Sequence, residues 1–274
     1  SVGNGMHLGI IEYLEHFGRD DRCKAILLYV ESLGDAVRFG EVARGAAKRK
    51  PVVALIGGRT AAGREAAFRH TGSRPGDDAA TEEFCRRSGI VRVRNLRRLM
   101  LAAKGFAAYP GGIGKRVLVL SNSGGPGVLA ADQAIDEGLE LPELPQAMAQ
   151  RLRELLPPEA AVANPIDLLA DAREDRFALA LESALRAGET HFDAILMIHV
   201  VPFMVDGSAV VDALAGLCAN AKLPILHAMM GTLEHKAAWF ARLQACGVPV
   251  FDDAEAMCVC AGLLARHRQL NALR

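Results

Sequence analysis

The chain has 274 residues, 51% hydrophobic and 23% charged, a length that allows two domains and a sizeable core. Thirty-two basic residues balance thirty-two acidic ones, so no global field marks a nucleic-acid or membrane-surface partner. No apolar run is long enough to span a bilayer and nothing at the start reads as a signal peptide. Six scattered cysteines without a Cys-x-x-Cys pair read as reduced thiols, so a cytoplasmic setting is expected.

Ser1-Val2-Gly3-Asn4 reads as a turn into a helix whose apolar face holds Leu8, Ile11, Tyr13, Leu14 and Phe17. An α/β unit ordinarily opens with a strand, and none precedes this turn. With no initiating Met, the expectation is a chain excised from a longer polypeptide or cut just after a first strand. Strands are expected at 24–31, 51–56 and 90–93, each followed by a helical stretch. After the second strand, 58–72 reads as a small-residue loop with His70 among arginines, able to move and to present an imidazole to an anion. Taken alone, such a histidine is more often a plain surface residue.

The glycine-rich connection 107–114 divides the chain into domains at 1–109 and 115–274. In the second half strands are expected at 116–120, 139–141, 194–200, 224–229 and 248–251. Helices are expected at 128–137, 146–156, 173–186, 209–221, 233–245 and 254–268. This alternation implies an α/β fold with parallel sheets covered by helices on both faces.

At 116–130 an apolar run passes through Ser121-Asn122-Ser123-Gly124-Gly125-Pro126-Gly127 into an alanine-rich helical pattern. A strand that feeds a helix through glycines leaves backbone N–H groups unpaired and aims the positive end of the helix dipole at one point. Pro126 suits the first turn, where its missing N–H costs nothing. No Gly-Lys-Ser/Thr follows, and the spacing does not match the dinucleotide fingerprint. A phosphate cradle and an ordinary βα turn with packing glycines both remain open.

Other polar residues carry less. His199 and His227 end apolar runs and read as structural residues or as facing a ligand crevice. His7, His16, His191, His235 and His267 read as surface, Trp239 with Phe240 as helix packing or an interface, and Cys258-x-Cys260 as core. Asp167, after Asn164-Pro165, reads either as a substrate or partner contact or as a loop start. No metal-binding set is read in the chain.

Taken together, Ser1-Val2-Gly3-Asn4, Leu28-Tyr29-Val30-Glu31, Gly58-Arg59-Thr60, His70-Thr71-Gly72, Ser121–Val128 and Asn164-Pro165-Ile166-Asp167-Leu168 resemble the NDP-forming acyl-CoA synthetases. This is the family of ADP-forming acetyl-CoA synthetase and of succinyl-CoA synthetase. The resemblance implies two flavodoxin-like domains and a phosphoryl group carried on His70 between an acyl phosphate and ADP or GDP. It gives Glu31 as the carboxylate partner of that histidine. Phosphate would be cradled by Gly3, Asn4, Ser123, Gly124, Gly125 and Gly127, and substrate would meet Thr71, Gly72, Asn164 and Asp167. It further implies CoA, ATP or ADP with Mg2+, a small carboxylic acid, and an oligomer. The CoA-binding and ATP-grasp domains would lie outside these residues, in the same or a partner chain.

Two departures bear on the substrate. Ile56 precedes Gly57-Gly58-Arg59 where the family often has Lys before Ala-Gly-Arg, and Ser73-Arg74-Pro75-Gly76 replaces a frequent Ala-Leu-Ala-Gly. The alternative is a non-enzymatic regulatory or ligand-binding module derived from the family, such as the synthetase-like region of a protein acetyltransferase. The intact His-Thr-Gly sequence favours the enzyme.

Overall fold

Short β-branched runs become strands and the amphipathic stretches between them become helices, in a computed structural model that describes residues 8–72, 76–203, 205–231 and 235–272. The chain divides into two compact units. One runs to Gly112 and takes in the chain from Arg266, and the other is Ile113–Ala265. The expected turn at Gly3-Asn4 lies outside the described residues, as does His7.

The first unit comprises α1 (Ile10–Arg19), β1 (Ile26–Val30), α2 (Ala36–Ala47), β2 (Val52–Ile56), α3 (Ala61–Thr71), α4 (Asp78–Ser88), β3 (Val91–Val93) and α5 (Leu96–Ala108). Its strands form a parallel sheet in the order β1-β2-β3, with Ile26 opposite Val52 and Val53 opposite Val91. Ile11 and Leu14 of α1, Phe39 and Ala43 of α2 and Cys85 of α4 close on Ile26, Val30, Val52, Ala54 and Ile56. Fully burying the Leu, Ile, Val and Phe side chains among these contributes on the order of 1.5–3 kcal/mol each.

The expected apolar face of α1 is corrected. Ile11, Leu14 and Gly18 are buried, whereas Leu8, Tyr13 and Phe17 stay exposed. Positions 11, 14 and 18 form one stripe at the 3.6-residue period, and Gly18 brings α1 against Ala46 of α2.

The expected loop at 58–72 is also corrected, because 61–71 is helical. Thr60 caps the helix by accepting the Gly63 N–H at 3.1 Å, and Glu65 pairs with Arg69 one turn on. Gly72 ends it in the left-handed region at φ 73°, donating to the Phe68 carbonyl, a conformation open to glycine at no steric cost. Alanines at 61, 62, 66 and 67 are strong helix formers, so the small residues that suggest a loop instead propagate a helix. Ala67 is the one residue of α3 that is buried among those whose burial is described.

The second unit comprises β4 (Val117–Ser121), α6 (Gly124–Asp136), α7 (Gln146–Leu155), β5 (Ala161–Val162), β6 (Ile166–Asp167), α8 (Glu174–Ala187), β7 (Ala194–Val201), α9 (Ser208–Cys218), β8 (Ile225–Gly231), α10 (Lys236–Ala245) and β9 (Val250–Phe251). Helix α11 (Ala254–Ala272) starts in this unit and ends in the first. The sheet order is β5-β6-β4-β7-β8-β9, parallel except for β5 against β6. That short antiparallel pair is absent from the expected elements, because two-residue strands have no period to read. The strand expected at 139–141 is a single bridge, Arg116 to Glu140.

Leu118, Leu120, Ile195, Met197 and Ile225 pack with Leu152, Phe177, Leu181, Leu214 and Leu243 from α7, α8, α9 and α10. Buried Ala130 of α6 meets α11, where the Cys258 thiol donates to its carbonyl at 3.4 Å. Cys258 and Cys260 are core, and burial pushes the Cys258 thiol up to about 12.

Candidate functional site

Strand β1 and helix α3 bring together three ionisable side chains. Glu31 follows the end of β1, and His70 sits in the last turn of α3. Nδ1 of His70 lies 2.7 Å from Oε2 of Glu31. The Tyr29 hydroxyl donates to the other oxygen, Oε1, at 3.0 Å. Successive residues of a strand alternate between faces, so Tyr29 and Glu31 share one. Gly57, just after β2, lies beside Glu31: a Cβ there would make ordinary contact with Glu31 Cγ at 3.5 Å.

The electrostatics follow from these contacts. The hydrogen bond from His70, then that from Tyr29, holds the Glu31 carboxyl below the usual carboxylate range. The bond to Glu31 and then its charge raise the His70 imidazole, and the same carboxylate raises the Tyr29 phenol. The side chain of His70 is 75% exposed and that of Glu31 is 22% exposed, so the pair is open to a reactant. Among the described residues Nε2 of His70 has no hydrogen-bond partner. The imidazole is therefore held at one nitrogen and free at the other, the arrangement that suits a nucleophile. Arg64 and Arg69, on either side in sequence, are engaged by the Arg59 carbonyl and by Glu65.

Gly72 is exposed and terminates α3, and Thr71 is the last helical residue. Tyr29 enters the sequence reading only within the Leu28-Tyr29-Val30-Glu31 motif, with no role assigned to it. Its position two residues before Glu31 in a strand is the signal that could have found it.

In the second unit, β4 ends in Ser121 and α6 begins at Gly124. Buried Asn122 ties this turn to β7: its amide accepts the Val200 N–H at 2.8 Å and donates to the Val200 carbonyl at 2.9 Å. The Ser121 hydroxyl accepts the Ser123 N–H at 3.0 Å. Gly127 donates to the Ser123 carbonyl, so the helical ladder closes there. The N–H groups of Gly124 and Gly125 have no partner among the described residues, and the Ser123 side chain makes no cap bond. Both glycines are exposed, and nothing lies within 4 Å of a Cβ placed on Gly125. A Cβ on Gly124 would meet Asp167 Oδ2 at 3.0 Å, so Gly124 makes room for that carboxylate beside the helix start.

Asp167 accepts the N–H of Leu169, whose φ of 71° is unusual for a non-glycine residue. Asn164, preceding a cis bond to Pro165, spends its amide on backbone. Its Oδ1 accepts the Val119 N–H, and its Nδ2 donates to the carbonyls of Val117 and Pro142. Asn164 is thus a strut between β4 and the approach to β6, which positions Asp167.

His199 and His227 lie within β7 and β8 and are buried. Register pairs Met197 with His227 and His199 with Met229, which puts both histidines on the face that carries the core. Their rings lie 6.3 Å apart at 10°, with the Phe177 ring 5.0 Å from His199. Burial lowers His199 to about 4; burial and then the neighbouring His199 lower His227 to about 3. The crevice-facing alternative is therefore corrected, since the strands continue past both residues. His267 is corrected from surface to buried, packed edge-on against Phe106. Trp239 is packing, its Nε1 donating to Ser208 Oγ at 2.9 Å.

The family model described as a succinyl-CoA ligase like flavodoxin domain matches residues 1–106, and the Ligase-CoA domain model matches residues 117–268. The alpha subunit of ADP-forming acetate–CoA ligase II of Pyrococcus furiosus is 34% identical over 93% of this chain and 56% of its own. ADP-forming acetate–CoA ligase I of Archaeoglobus fulgidus is 30% identical over 99% of this chain and 38% of its own. The dinucleotide forming acetyl-coenzyme A synthetase 1 of Ca. Korarchaeum cryptofilum, solved in complex with phosphate and ADP, superposes with a TM-score of 0.90. It is 27% identical over 99% of this chain and 59% of its own. The chain thus spans about half the length of the relatives it matches, or less. It belongs to the succinyl-CoA ligase-like family of NDP-forming acyl-CoA synthetases.

Proposed function

We propose that this chain is the phosphohistidine-bearing core of an acyl-CoA ligase that forms ADP or GDP. The observation that carries this reading is the His70–Glu31 pair, with Nδ1 bonded and Nε2 unpartnered on an exposed helix end. Nε2 attacks the phosphorus of an acyl phosphate. An N–P bond forms as the P–O bond to the acyl group breaks, and the carboxylate leaves. A terminal oxygen of the nucleoside diphosphate then attacks that phosphorus, the N–P bond breaks, and Nε2 recovers its lone pair; ligation runs these two steps in reverse and releases the diphosphate. Glu31 fixes the Nδ1–H tautomer and offsets the positive charge that develops on the ring.

The unpaired N–H groups of Gly124 and Gly125, with the Ser123 hydroxyl, would cradle a phosphoryl group at the start of α6. Thr71 and Gly72 would line the approach to His70. Asp167 would meet substrate from its place beside Gly124, held there by Asn164. As the family resemblance implies, this reading assigns Mg2+, the nucleotide and CoA to domains outside these residues. The phosphate and ADP bound by the Korarchaeum relative support phosphate and ADP as co-substrates.

The test supplies the chain with CoA-binding and ATP-grasp domains, acyl-CoA and labelled phosphate. The expected product is an acid-labile, base-stable adduct that His70→Ala lacks. Equal labelling of wild type and variant would sink the proposal.

A further inference from the structure

We propose that Tyr29 is a positioning residue for His70, acting through Glu31: its hydroxyl holds Oε1 so that Oε2 meets Nδ1 and Nε2 is left free. This rests on the reading of His70 as the phosphoryl carrier. A carboxylate on a short side chain rotates unless both oxygens are held. Here they are held from two directions, by Tyr29 at 3.0 Å and His70 at 2.7 Å. Tyr29 is exposed and makes no part of the core cluster of its unit, so its placement is not explained by packing.

The second effect is on basicity. A carboxylate that already accepts a phenolic O–H pulls less strongly on the imidazole N–H. The Glu31 bond raises His70, and a protonated imidazole has no lone pair for phosphorus. By sharing the carboxylate, Tyr29 limits that rise and keeps more His70 in the reactive neutral form near neutral pH. Among the described residues the neighbouring elements add no further ionisable group to the pair: β2 presents Gly57, and on α3 Arg69 is engaged by Glu65 and Arg64 by the Arg59 carbonyl.

The test titrates His70 by nitrogen-15 NMR in the whole chain for wild type, Tyr29→Phe, Glu31→Gln and the double variant. It also follows phosphorylation by acetyl phosphate against pH, with His70→Ala as background. Tyr29→Phe should move the His70 midpoint upward by about half a pH unit. At pH values below that midpoint, phosphorylation should slow about threefold, the rate equivalent of that shift. In the Glu31→Gln background the same substitution should change neither. An unchanged midpoint in Tyr29→Phe, or an equal shift without Glu31, overturns the proposal. A shifted midpoint in a chain that takes up no phosphate leaves Tyr29 as the positioning residue and removes the phosphoryl-carrier reading instead.

Discussion

Glu31 and His70 are 39 residues apart in sequence, yet Oε2 of one and Nδ1 of the other are 2.7 Å apart. The contact joins the end of a strand to the end of a helix that buries little else. Because the helix supplies so few packing contacts of its own, the histidine is set largely by this one charge-assisted bond.

Glu31→Gln keeps an acceptor but removes the charge. The raised His70 value should fall back towards 6.5, so the acid limb of the phosphorylation profile should move to lower pH. The plateau rate should also drop, since the charge that favours a positive ring is gone. A pH-rate profile of labelling measures both, and an acid limb that stays in place would show that Glu31 does not control the imidazole.

Gly125→Val tests the cradle at α6. A Cβ there meets nothing within 4 Å, and valine is a better helix former than glycine by roughly a few tenths of a kcal/mol. The melting temperature should stay near that of wild type while phosphoryl transfer is lost. Gly114→Val is the contrast, because its side chain would run into Asp193, which holds the Arg116 guanidinium. That variant should melt lower. Transfer at the wild-type rate by Gly125→Val would reduce the glycines to a packing role.

Acid should destabilise the second unit through His199 and His227. Unfolded, both take up protons near pH 6.5; folded, they resist until about 4 and about 3. The unfolded state therefore binds more protons below 6.5, and stability falls as pH falls through that window, by about 1.4 kcal/mol per pH unit for each histidine at full slope. Chemical denaturation at pH 7.5 and pH 5 should show a smaller loss for His227→Leu than for wild type. Equal losses would place the acid sensitivity elsewhere.

Residue order alone determined the α/β alternation and most strand positions, because apolar periodicity is a local signal; the pairing of His70 with Glu31, 39 residues apart, was implied only by the family resemblance of their motifs. Residue order also located the strand-to-helix junction after Ser121, although the glycines at 124, 125 and 127 lie in the first turn of α6. Tertiary structure decided the rest. The segment carrying His70 is a helix because a Thr60 cap, alanines and a Gly72 terminus act together, and small residues by themselves suit loop and helix alike. Tyr29 joined the site because its place two residues before Glu31 puts both side chains on one face once the strand has formed. Sequence context left His199 and His227 open between core and crevice and gave Asn122 no role, while Asn164, implied as a substrate contact by the resemblance, spends its amide on backbone groups. Whether such a group bonds a distant backbone or is sealed neutral in a core depends on which strand lies alongside, and only the folded sheet fixes that neighbour.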